Sequence, residues 1–279
     1  MSELICYVNG QFLPTTEASL PVQDLAILRG YGVFDFLRTY HGQPFKLREH
    51  ILRLEQSARM VYLDLPGSLE ELEALVIETL RRNRLPEANI RIVVTGGVAP
   101  DGITPPDTSS LIVIVTPPHV YPATYYEQGV KVITVDIDRY LPQAKTINYI
   151  PAIIALKQAQ AAGAVEALYT NSAGHILEGT TTNFFLIQGR QLITPKDDIL
   201  SGVSREFVLE LAREHLDVVE QAITPADLLQ TDEAFITASN KEVMPVHHVN
   251  EIVIGNGQAP GPQTRRLMAA FRRMTWGES

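Results

Sequence analysis

Among the six lysines of this 279-residue chain, Lys145 is set apart by its neighbours. It closes the segment LPQAK and is followed by TINYIPAIIAL, an apolar run that reads as the start of a helix. An amine at the mouth of a packed element loses hydration, which favours its neutral and nucleophilic form. A helix-leading lysine that serves solubility alone fits the same position, and position does not choose between the two. Of the other lysines, Lys46 and Lys196 lie beside turns, Lys131 in a strand of mixed polarity, and Lys157 mid-helix among polar residues, where it reads as solvated; Lys241 completes the six.

Other chemistries leave no trace. RGYGVFDF contains Gly-x-Gly but has Asp35 where a dinucleotide fingerprint needs its third glycine. No phosphate-binding G-x-x-x-x-G-K-[ST] loop and no G-x-S-x-G nucleophile elbow occur. The pair His247-His248 lacks metal-ligand spacing, so no metal is expected. A net charge of −9 argues against nucleic acid or an anionic membrane as a partner. No run approaches the roughly 20 apolar residues that span a bilayer. The start MSELICYVNGQFLP does not read as a signal peptide, and the single cysteine, Cys6, fits a reducing compartment. A cytoplasmic protein is expected.

The elements that must position Lys145 are legible in outline. LICYVNGQFLP predicts a hairpin turning at Asn9-Gly10. KLREHILRLEQSARMVYLDLP predicts a helix with Leu47, Ile51, Leu54 and Ala58 on one face. SLEELEALVIETLRRNRLP predicts a second, capped by Ser68 with Glu71 three residues on and stopped before Pro86. NIRIVVTGG and SSLIVIVTPP read as strands flanking a Gly- and Pro-rich loop, Gly96 to Pro106. The second half reads as strand, helix, a series of short strands turning at Asn171-Ser172 and Gln188-Gly189, the helix SREFVLELAREHL, the strand EAFITAS and a tail helix. Strands and helices mix without a regular βαβ rhythm, so the class is α+β. TPPHVYPATYY, rich in proline, reads as a linker. The expected division is a small domain over 1–117, a linker at 118–124 and a larger domain over 125–279.

Set beside Lys145, four further segments form a pattern: HILRL, LEGTTTNFFLI (whose Glu178 lies 33 residues after the lysine), GVSRE and TASNKEVMPV. Together with AKTINY they resemble the fold-type IV pyridoxal-phosphate transaminases. The resemblance spans nearly the whole chain. It implies a small N-terminal α/β domain, a larger domain with a β-barrel-like core, and a homodimer with shared active sites. It also implies pyridoxal 5′-phosphate as cofactor and small amino and keto acids as substrates. Lys145 would be the Schiff-base lysine and the base that moves the α-proton. Glu178 would face the pyridine nitrogen, and Tyr149 the ring hydroxyl. Arg53, three residues after His50 and so on one helical face with it, would hold the phosphate. Thr181, Thr182, Val203, Ser204, Ser239 and Asn240 fall at comparable positions near that phosphate. Asn183 reads as structural.

Substrate choice turns on how the α-carboxylate is gripped, and arginine is its natural bidentate partner. Arg91 in NIRIVVTGG stands where branched-chain enzymes carry the arginine of Tyr-x-Arg, with Asn89 replacing the tyrosine. The Arg-x-His grip of bacillus-type D-amino-acid transaminases is missing from GGVAPDGITPP. Phe34-Asp35-Phe36-Leu37-Arg38 replaces the branched-chain Phe-Glu-Gly-x-Arg. Arg29 and Tyr31 lie in a segment that in this family covers the neighbouring subunit's site. The set is similar to a less usual group of D-amino-acid transaminases that uses two arginines. A D-amino-acid transaminase is therefore expected, with Arg29, Tyr31 and Arg91 at the substrate. A branched-chain L-amino-acid transaminase, an (R)-amine transaminase and aminodeoxychorismate lyase are the alternatives.

Overall fold

The computed structural model describes residues 3–277; residues 1–2 and 278–279, the outer ends of the two expected domains, lie outside them. Two compact units form among the described residues, one from residues 3–119 with 144–149 and one from 120–143 with 150–277.

In the first unit β1 (Ile5–Val8) and β2 (Gln11–Pro14) make the expected hairpin, with Asn9 and Gly10 both at positive φ. They are followed by α1 (Leu25–Arg29), β3 (Gly32–Tyr40), β4 (Gln43–Pro44), α2 (Leu47–Met60), α3 (Leu69–Asn83), β5 (Asn89–Thr95) and β6 (Ser110–Thr116). The strands form a sheet in the order β2-β1-β6-β5-β3-β4. Alternation along β3 sends Val33 and Leu37 into a core with Ile51 and Leu54 of α2 and Leu72, Val76 and Leu80 of α3. Helix α3 begins with the reciprocal Ser68–Glu71 capping box. Asp24 caps α1, accepting from the Ala26 amide and from the Thr95 and Ser110 hydroxyls.

The segment 144–149 belongs to this unit, although its place in the chain lies within the expected larger domain. The cause is backbone pairing on the free edge of β3. The Phe34 amide donates to the Lys145 carbonyl at 2.9 Å and the Ile147 amide to the Gly32 carbonyl at 3.1 Å. The Ser57 hydroxyl of α2 accepts from the Lys145 amide at 3.1 Å. Gly32 is required there, because a Cβ would meet the Val94 carbonyl and the Ile147 side chain at 2.8 and 2.9 Å.

The second unit holds α4 (Thr124–Glu127), β7 (Val130–Asp136), α5 (Ile150–Ala161), β8 (Glu166–Thr170), β9 (Ile176–Gly179), β10 (Asn183–Gln188) and β11 (Gln191–Thr194). These continue into α6 (Val203–Ala212), β12 (Asp217–Glu220), α7 (Pro225–Leu228), β13 (Glu233–Ala238), β14 (Glu242–Val249), β15 (Ile252–Val253) and α8 (Pro262–Trp276). The strand order is β12-β11-β10-β13-β14-β7-β8-β9, with β15 on β14. Its core is lined by Phe184, Leu186, Ile236, Met244 and Val246. The α5 run that looked like a packed apolar element buries its alanines instead: Ala152, Ala155 and Ala159 face inward while Ile150, Ile153 and Ile154 are exposed. Among the described residues no helix is long and apolar enough to cross a membrane.

Candidate active site

Pairing of 145–147 with β3 decides where Lys145 points. Thr146 stands opposite Val33, so Lys145 shares the other face of the sheet with Phe34. Its Nζ lies 4.8 Å from the centroid of the Phe34 ring. Arg91 stands opposite Phe36 on β5, on that same face, and its guanidinium sits 5.0 Å from the Phe34 centroid and 5.5 Å from that of Phe36. Tyr149 meets Phe34 edge-on at 5.4 Å. Three of the expected site residues therefore converge on one aromatic ring that sequence reading had noted only as part of a departure from a known motif.

The opposite face of β3 carries a buried charge cluster. Arg53 Nε and Nη2 both donate to the Asp35 carboxylate at 2.8 Å, a bidentate grip. His50 Nδ1 lies 2.7 Å from Asp35 Oδ1. Asp35 is fully buried; burial opposes its ionisation, but the Arg53 guanidinium, aided by His50, holds its carboxyl well below the usual carboxylate range. Burial pushes the His50 imidazole down; Asp35 opposes that, while the positive charges of Arg53 and Lys145 add to it. With the ring neutral near pH 7, Arg53 is the group that keeps Asp35 ionised, and His50 donates through Nδ1–H.

The pH dependence follows in sign. Below pH about 6.5 the unfolded chain protonates His50 while the native ring resists, so the unfolded state binds more protons and stability decreases as the pH is lowered. One such group changes stability by at most about 1.4 kcal/mol per pH unit. In urea unfolding at pH 7.5 and pH 5.5, His50→Asn, whose amide can replace the Nδ1 donor, should lose less stability on acidification than the wild type. An equal loss in both would show that His50 takes up protons equally in the native and unfolded states.

In the second unit Glu178 lies on β9 and is buried, 3% exposed, where a turn carboxylate would be solvated. Arg139 bonds its Oε1, and the Asn183 side-chain amide and the Leu200 backbone amide each donate to Oε2 at 3.1 Å. Asn183 also donates to the Leu200 carbonyl at 2.9 Å, and a Cβ at Gly202 would strike its Oδ1 at 2.1 Å. The carboxylate is thus locked in place and tied to the chain that enters α6. Val203 and Ser204 open that helix behind Gly202, which offers no side-chain cap, and a helix N-terminus without a side-chain cap is chemically suited to an anion.

Thr181 and Thr182 occupy the turn between β9 and β10, and their hydroxyls reach a second buried carboxylate, Glu166, at 2.8 and 3.4 Å. Ser239 and Asn240 form the turn between β13 and β14, where the Asn240 amide donates to the Tyr121 hydroxyl at 3.1 Å. Tyr31 donates to the Val61 carbonyl at 2.6 Å, and its ring packs where a Cβ on Gly96 would lie. Arg29 is exposed at the end of α1, beside Gly102 and bonded to its own Leu28 carbonyl. The group around Phe34 does not include it.

Sequence reading noted Phe34 and Asp35 only as departures from known motifs and missed Arg139 and Glu166. An aspartate flanked by Val33, Phe34 and Phe36 inside a strand was a usable signal of a buried charge seeking His50-x-x-Arg53. Arg139 and Glu166 carry no comparable signal, because their partners are 39 residues away in one case and 14 to 16 in the other. The donor set fits a phosphorylated pyridine aldehyde. The first unit supplies an amine, and the second by itself supplies a locked carboxylate suited to a ring nitrogen and backbone amides suited to a phosphate. Among the described residues no cluster of His, Cys, Asp and Glu could hold a metal ion.

Comparison with known proteins agrees with this chemistry. The profile of the family described as amino-transferase class IV matches residues 32–249. A branched-chain-amino-acid aminotransferase of Methanocaldococcus jannaschii, so named provisionally, is 38% identical over 97% of each chain. The D-alanine aminotransferase of Bacillus licheniformis is 33% identical, again over 97% of each. A solved structure of a T.th. branched-chain amino acid aminotransferase, complexed with N-(5′-phosphopyridoxyl)-L-glutamate, superposes with a TM-score of 0.90. It is 28% identical, and the match covers all of this chain and 96% of that one.

Proposed function

This chain belongs to the class IV aminotransferases and uses pyridoxal 5′-phosphate, and from that premise we propose that it moves an amino group between a D-amino acid and a 2-keto acid such as 2-oxoglutarate or pyruvate. The observation that carries the reading is the shared ring: the Lys145 amine and the Arg91 guanidinium lie 4.8 and 5.0 Å from the centroid of Phe34. A proton-moving amine and a carboxylate-binding cation on one ring are the two fixed points that an α-amino acid needs.

When bound, the cofactor supplies an aldehyde that condenses with amines and a ring that draws electrons from the substrate α-carbon. Lys145 would hold the cofactor through its amine, and its Nζ would move the proton at the substrate α-carbon. Glu178, fixed by Arg139, Asn183 and Leu200, keeps a proton on the ring nitrogen. The backbone amides of Thr181, Thr182, Val203 and Ser204, with Ser239 and Asn240, would hold the phosphate, Arg53 would join them by releasing part of its grip on Asp35, and Tyr149 would serve the ring hydroxyl. Arg91 binds the α-carboxylate, joined by Arg29 and Tyr31 from a second copy of the chain, since Arg29 is exposed in its own. With amine and carboxylate both anchored, only one enantiomer turns its α-hydrogen toward Lys145. The position of the arginines therefore sets the stereochemistry.

A branched-chain L-amino acid is the second reading, favoured by the apolar Phe34 and Phe36 rings beside Arg91. D- and L-alanine, glutamate and leucine added separately to the holoenzyme decide between them. The proposal expects rapid loss of the cofactor's visible band with D-amino acids, whereas faster conversion by L-leucine would establish the second reading. Truncating one cation of a desolvated carboxylate pair typically costs about 2–5 kcal/mol of binding. Arg91→Ala and Arg29→Ala should raise the KM for amino and keto acids accordingly, leave cofactor affinity nearly intact and affect carboxylate-free amines far less.

A further inference from the structure

A carboxylate and an ammonium that have no part in the roles above organise the turn after β9. Glu166 is completely buried, 0% exposed. Its Oε1 accepts from the Thr180 hydroxyl at 2.5 Å, the Thr180 amide at 3.2 Å and the Ala167 amide at 3.0 Å. Its Oε2 accepts from the Thr181 and Thr182 hydroxyls. Lys241, 8% exposed, donates to the Thr181 hydroxyl oxygen at 2.8 Å and lies 3.9 Å from Glu166 Oε2. The Thr181 hydroxyl therefore has a fixed polarity, its hydrogen toward Glu166 and a lone pair toward Lys241. In that arrangement it has no proton to give an anion.

A buried carboxylate close to a phosphate site works against anion binding, because charges interact strongly where water is excluded. Lys241 is the one cation the structure sets against Glu166 in an ion pair among the described residues. We propose that Lys241 and Glu166 are positioning residues for the phosphate-binding half of the cofactor site. In this arrangement Glu166 shapes the turn 180–182 through its three threonines, and Lys241 cancels the charge that would otherwise repel a phosphate dianion. The inference rests on the reading of that turn, with Ser239 and Asn240, as part of the phosphate site.

Pyridoxal 5′-phosphate and pyridoxal, which lacks the phosphate, separate the possibilities when each is titrated into the full-length chain stripped of cofactor. Lys241→Met should bind the phosphorylated form about tenfold or more weakly, with pyridoxal binding changed less than about twofold. Lys241→Arg should stay near the wild type, and the double variant Lys241→Met, Glu166→Gln should recover most of the loss. If Lys241→Met does not fold, Glu166→Gln alone serves: it should raise the preference for the phosphorylated form, because the Lys241 charge is then uncompensated. Equal losses for both ligands, no recovery in the double variant, or an unchanged preference in Glu166→Gln would overturn the proposal. A wild type that binds both ligands equally would instead overturn the phosphate-site reading beneath it.

Discussion

Replacing Lys145 with alanine is expected to reduce transamination to background. The amine has two duties in the proposed reaction, and the proton transfer alone is worth about 10²–10⁴ in rate. The variant should still fold, since the segment is held through backbone groups: the Lys145 amide on Ser57 and its carbonyl on Phe34. Borohydride reduction of the holoenzyme followed by peptide mapping should place the pyridoxyl group on Lys145. Recovery of the label on Lys131, Lys157 or the buried Lys241 would displace Lys145 from the site.

Glu178→Gln is expected to retain cofactor and slow the half-reaction by about 10² or more, the usual scale for a charge aimed at where charge develops. Glutamine is nearly isosteric and can still accept from Arg139, but it brings an amide group toward the Asn183 and Leu200 donors at Oε2 or toward the ring nitrogen. Charge rather than shape is thus the main quantity removed. Single-turnover spectra with D-alanine measure the rate, and unfolding with and without cofactor measures retention. A near-wild-type rate would assign Glu178 to the support of the α6 approach instead of to the chemistry.

Much of the chemistry was legible in the order of residues. Lys145, Glu178 and Arg53 stand in segments whose spacing resembles a known pattern, and the chain belongs to that class of aminotransferases. Local rules sufficed where the causes are local: the Asn9-Gly10 turn, the Ser68–Glu71 box, and the α2 face that sends Ile51 and Leu54 inward.

Tertiary structure decided what depends on partners far along the chain. The α5 sequence, read as a packed apolar element behind Lys145, exposes its isoleucines and packs Ala155 and Ala159 against Val135, Tyr169 and Leu177. Lys145 takes its direction from an edge pairing with β3, more than a hundred residues earlier. That pairing is made by main-chain amides and carbonyls, which every residue except proline carries in full, so side-chain pattern cannot announce it. The partners of Glu178 and the threonine cradle of Glu166 are of the same kind. The sequence by itself determined which groups were available for the reaction; the fold determined which face each one presents, because a buried charge is satisfied only by the neighbours that three-dimensional packing brings to it.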